Sequence, residues 1–86
     1  MIILKSTLEE AVDEVLAPYL GPSMARAATE GHCRQLGIDG AEMTEQQLEN
    51  LVGKLTLGLH ILVGRSNSVR LATALREEIA RRGGGS

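Results

Sequence analysis

The residues best equipped for chemistry are few: adjacent His32 and Cys33, a distant His60, and the carboxylates Glu9, Glu10, Asp13 and Glu14 near the start. A zinc site takes about four ligands, usually in paired spacings, and the chain contains no CxxC or HxxxH. A nucleophilic cysteine needs a base that converges on it, whereas neighbours on a helix diverge by about 100°. The carboxylates recur with the period of one helix face, so they are expected to be solvated. No GxGxxG or GxxxxGK[ST] phosphate cradle occurs. Gly53, Gly58 and Gly64 fall inside an apolar segment, which points to close packing rather than to phosphate. These residues imply no enzyme, no metal and no cofactor.

The arginines offer a different chemistry. Leu57 to Glu78 has the outline of a helix-turn-helix, with Gly64 to Ser68 as the turn and Arg65, Arg70 and Arg76 as candidate phosphate or base contacts. Against it, Arg70 falls where such motifs need a buried apolar residue. That segment also holds no Phe, Trp or Tyr side chains on which single strands would stack. DNA binding is therefore the alternative reading, behind a solvated basic face.

These groups must be positioned by a chain of 86 residues with no Phe, no Trp and one tyrosine, Tyr19. Such a length holds one domain, here residues 1–82, with a core built from Leu, Ile, Val, Ala and Met. Small aliphatic cores of this kind are often completed by a second subunit. The net charge is −2 but strongly polarised: three basic and nine acidic residues precede Leu51, and six basic and two acidic follow. Apposition of the first and last helices within one molecule would satisfy this dipole, as would head-to-tail contact between molecules. Cys33 is the only cysteine, consistent with a reducing, cytoplasmic setting. No segment has the length of a membrane span, and Met1–Leu4 is too short for a signal sequence. Gly83–Ser86 reads as an engineered linker scar.

Helical periodicity predicts an all-α, compact bundle of about four helices, near 7–20, 22–36, 45–63 and 67–82. In the first, Thr7 and Glu10 have capping-box spacing, and an apolar stripe runs from Leu8 to Leu20 with an end or kink near Ala17, ahead of Pro18. Gly21-Pro22 starts the second, whose small-residue face at Ala25, Ala28 and Gly31 or His32 suggests a central position. Gly37 with Ile38 forms its C-cap. Thr44 and Gln47 make a second capping box, with Met43 and Leu48 as a hydrophobic staple. Leu55 to Ile61 also alternates as a strand would, but the helical phase that begins at Leu48 runs unbroken to Val63. In the fourth, Ser66, Asn67 or Ser68 caps, Val69, Ala72, Leu75 and Ile79 line the inner face, and Glu77–Arg81 and Glu78–Arg82 are i, i+4 pairs.

The segment Leu16-Ala17-Pro18-Tyr19-Leu20-Gly21-Pro22-Ser23-Met24-Ala25 resembles the "La.yiGPiA" stretch that joins two helices in small modules of bacterial signalling proteins. Ser23-Met24 departs from it, because an apolar residue usually follows the proline. The resemblance covers about ten residues. It implies a regulatory or dimerising module beside kinase, cyclase or receiver-like domains, and transfers no catalytic residue.

The third helix is apolar nearly all round in its second half, since Leu57 and Ile61 lie off the Leu51–Leu55–Leu62 stripe. A helix of that kind is either central or half of an interface. The expectation is a non-catalytic module that binds protein, above all a copy of itself, through Leu55, Leu57, Leu59, Ile61, Leu62 and Val63. The Met1–Leu4 arm would lie across the seam.

Overall fold

The computed structural model describes residues 2–84. It is 81% helical, so the class is the expected all-α bundle. The order is β1 (Ile2–Leu4), α1 (Lys5–Val15), α2 (Ala17–Leu20), α3 (Pro22–Gln35), β2 (Glu42–Thr44), α4 (Glu45–Val63) and α5 (Arg65–Ile79), followed by a π-helical turn at Ala80–Gly84. Gly85 and Ser86, the end of the tail read as a linker, and Met1 of the N-terminal arm lie outside the described residues.

The arm does not wait for a second subunit. Ile2–Leu4 pairs antiparallel with Glu42–Thr44 of the same chain, Ile3 opposite Met43. This small ribbon also resets the start of α1. The Lys5 N–H donates to the Ala41 carbonyl at 2.8 Å, so the helix begins directly after the strand, with Leu4 as its N-cap and no side-chain cap. Thr7 and Glu10 then lie inside the helix, and the expected box at its start does not form.

At the other end Pro18 acts as expected. It has no N–H to offer the Glu14 carbonyl, and the helix breaks at Leu16 before a single turn, α2. The break shifts the helical phase, leaving Leu20 half-buried against the core and Tyr19 exposed, not on the inner stripe. α3 closes with a Schellman motif: Gly37 takes φ +74°, the Ile38 N–H reaches the Cys33 carbonyl at 2.8 Å and the Gly37 N–H reaches that of Arg34 at 3.2 Å. α4 opens with the full capping box, Thr44 Oγ1 accepting from the Gln47 N–H at 3.1 Å and Gln47 Oε1 from the Thr44 N–H at 2.8 Å. Met43 and Leu48 are both buried beside it.

The α4–α5 junction departs from expectation. Gly64, at φ +85°, reverses the chain in one residue, and α5 starts at Arg65 with no side-chain cap. Ser68 and Asn67 therefore sit in the first turn, where Asn67 Nδ2 donates to the last carbonyl of α4, that of Val63, at 2.9 Å. Val69, expected on the inner face, is exposed.

Packing between helices closes a ring: α1 on α3, α3 on α4, α4 on α5, α5 on α1. In a four-walled arrangement every helix keeps an outer face, so α3 is not central as its small-residue face suggested, and α4 is not surrounded either. One aliphatic cluster fills the interior, with Leu8 and Val12 of α1, Leu16 at the break after it, Leu51, Val52 and Leu55 of α4 and Leu75 of α5 at its heart. Ion pairs tie the walls together: Asp13 with Arg26 at 2.7 Å, Glu49 with Arg76 at 3.3 Å, and Glu10 with Arg82 at 3.2 Å. The last of these links the acidic first helix to the basic C-terminal turn, so part of the charge dipole is satisfied internally.

Candidate interaction surface

α4 divides the expected interface residues by angle. Leu55 and Leu59 point inward and are only 4% exposed; they belong to the core, and Val63 packs half-buried against it. These three are not a free surface. Leu57 is 66% exposed and Ile61 90%. Four residues apart, they stand one turn above each other on the outer face. Leu62 is 58% exposed, although it lies about 140° round from Leu57, toward the core. It is next to the last residue of the helix, where the core covers Val63 in part and leaves Leu62 open.

Gly58 lies beside the ridge, the residue after Leu57 and about 60° round from Ile61. A methyl added there would meet nothing within 4 Å, and the same holds for Gly53. The close packing expected of these glycines is not made inside this chain. A glycine within a helix costs about 0.8–1 kcal/mol relative to alanine, and nothing in the fold offsets that at Gly58. The outer face of α4 is thus an apolar ridge with a flat notch, flanked by exposed Lys54 and, past the turn, by exposed Arg65.

The three candidate nucleic-acid arginines do not act together. Arg76 is held by Glu49 at 3.3 Å. Arg65 and Arg70 are exposed and form no ion pair among the described residues. Arg70 and Arg76 lie about 120° apart around α5. The Glu49–Arg76 pair also reports the hairpin geometry, because it joins α4 and α5 far from their turn at Gly64. Helices that still touch there run side by side, whereas a helix-turn-helix crosses at about 90–120°.

At the opposite end of the hairpin lies a feature the periodicity did not reveal. A groove of about 370 Å³ opens between β1, the start of α4 and the end of α5. Its walls include Ile2, Leu4, Leu48 and Ile79, with Glu45, Glu49 and Arg76 among the polar lining. Ile2 and Leu4 alternate with buried Ile3 and are themselves exposed. The sequence signal was the apolar Ile2-Ile3-Leu4 run. Its meaning depends on a pairing across forty residues that local pattern does not reveal.

The reactive groups stay apart. Cys33 is buried in the core, and burial pushes its thiol above the ordinary value of 9.0. His32 Nδ1 lies 3.4 Å from Gln35 Oε1. The Nε2 atom of His60 is buried without a hydrogen-bond partner. Among the described residues no three His, Cys, Asp or Glu side chains gather as metal ligands, and no helix is long and apolar enough to cross a membrane.

Compared with protein-family models, curated proteins and solved structures, the chain matches none.

Proposed function

We propose that this chain is a non-catalytic interaction module that self-associates through the outer face of α4. The observation that carries the reading is the Leu57–Ile61 ridge, two large aliphatic side chains standing out from a helix whose inner face already supplies the core. Burying one such side chain contributes about 1.5–3 kcal/mol. Gly58 adds support, since a glycine with no role inside the fold suits a backbone that a partner approaches closely. The Leu16–Ala25 resemblance supports a regulatory setting, in which the module joins copies of a bacterial signalling protein.

Light scattering coupled to size exclusion, over a wide concentration range, tests this directly. The wild-type chain is expected to self-associate, and Ile61→Asp to weaken association by about a hundredfold, the equivalent of roughly 3 kcal/mol, with helicity unchanged by circular dichroism. A variant that associates as well as wild type sinks this surface.

A further inference from the structure

The flanks of the ridge carry one sign of charge. From Asn50 to Arg76 the chain contains no acidic residue. The ridge end therefore presents Lys54, Arg65 and Arg70, all exposed and without ion pairs among the described residues. An isologous dimer built ridge on ridge would set the cations of one copy against those of the other across its two-fold axis, and like charges across an interface disfavour it.

The complementary surface lies on the same molecule. The groove at the ribbon end has apolar walls at Ile2, Leu4, Leu48 and Ile79. The guanidinium of Arg76 in its lining is taken by Glu49, which leaves Glu45, exposed and without an ion pair among the described residues, as the charge on offer. Its volume, about 370 Å³, is in the range that takes compact apolar groups. Leu48 and Ile61 are separated by about 20 Å along the axis of α4, so no copy reaches its own groove with its own ridge.

We infer that the Leu57–Ile61 ridge of one copy docks into the groove between β1, α4 and α5 of the next, head to tail, with Lys54 and Arg65 brought to Glu45. This rests on the self-association reading and names the partner surface. Such a contact is heterologous, so it propagates into a ring or a filament and does not stop at a dimer.

Complementation between two defective chains tests it. Ile61→Asp removes the ridge and keeps the groove; Ile2→Lys with Glu45→Lys spoils the groove and keeps the ridge. Head-to-tail docking predicts that each variant alone is monomeric by light scattering, with wild-type helicity. An equimolar mixture should form a heterodimer that grows no further. If the groove variant alone still dimerises and the mixture adds nothing, ridge meets ridge: the inference falls while self-association stands. A wild-type chain that is monomeric at every concentration overturns both, and salt-sensitive retention of that monomer on duplex DNA would reassign the basic end. Should the double substitution lose helicity, a charge swap replaces it. Glu45→Lys alone and Lys54→Glu alone are each expected to weaken association about tenfold and to recover it when mixed. Failure to recover would overturn the pairing.

Discussion

The second half of α4 is richer in apolar residues than the first, five of eight against four of eleven, yet buries fewer of them. From Glu45 to Leu55 the helix is capped, stapled and covered: the Thr44–Gln47 box fixes its start, the ribbon lies over its first turn, and Leu48, Leu51, Val52 and Leu55 are buried. From Thr56 to Val63 only Leu59 is fully buried, while Leu57, Ile61 and Leu62 are exposed. The first half is apolar on one side because four walls enclose one core. The second is apolar on both sides, and the outer side has no structural duty within the chain. Apolar content by itself therefore does not locate the interior; angular position and the reach of neighbouring walls do.

The largest effect that separates the halves is truncation. Leu51→Ala is expected to cost about 2–5 kcal/mol, because a fully buried leucine leaves a cavity that its neighbours only partly fill. Ile61→Ala should change the monomer's stability by less than about 0.5 kcal/mol, as exposed sites do. Urea unfolding at a concentration where the chain is monomeric measures both. Equal losses would erase the distinction.

Next in size is the cap. Thr44→Ala removes the acceptor for the Gln47 N–H and is expected to cost about 1 kcal/mol. Thr44 neither lines the groove nor lies on the ridge, so association measured under folded conditions should not change.

Gly58→Ala splits stability from association. The alanine relieves the entropic penalty of a helical glycine and meets nothing in the fold, so the monomer should gain about 0.5–1 kcal/mol. If the notch admits a partner's backbone, the same methyl weakens self-association. Gly31→Ala is the control, a helical glycine equally open but on α3, away from the ridge. A Gly58→Ala chain that is both more stable and equally associated would remove the glycine from the interface.

Much of this division was legible in the sequence, residue by residue. Thr44 and Gln47 gave the start of α4, Pro18 the break in the first helix and Gly37 the end of α3, because each acts through local backbone chemistry. Leu57 and Ile61 were legible as ridge residues because they fall out of phase with the Leu48–Leu51–Leu55 stripe. Leu55 and Leu59 were placed with them wrongly. A helix turn that is apolar all round has no polar side to set its angle, and only the packing of α3 and α5 does so. The groove was not legible at all. It needs Ile2–Leu4 to pair with Glu42–Thr44, and three-residue strands so far apart carry no local signal of each other. The Thr7–Glu10 box failed for the same reason, since the paired ribbon starts the helix earlier.

The smallest contrast concerns the two ends of the hairpin under acid. The ribbon end is closed by a clamp in which the largely buried Glu78 carboxylate accepts from Arg82 Nε at 2.6 Å and from Arg81, while Arg82 also reaches Glu10 at 3.2 Å. The ridge end has no such clamp among the described residues. The hydrogen bond from Arg81 and then that from Arg82 hold the Glu78 carboxyl below its ordinary value of 4.5, outweighing the opposing effect of burial. A carboxyl with a lower pKa folded than unfolded contributes its stabilisation in full above the unfolded value, and loses it as pH falls through the folded one. Below pH 4.5 the clamp should therefore weaken. Hydrogen exchange should show the C-terminal turns of α5 losing protection while amides around Gly64 hold theirs. Glu78→Gln should reproduce the loss at neutral pH and flatten the acid response. Uniform loss along both helices would mean that the hairpin opens as one unit and that its ends do not differ in how they are held.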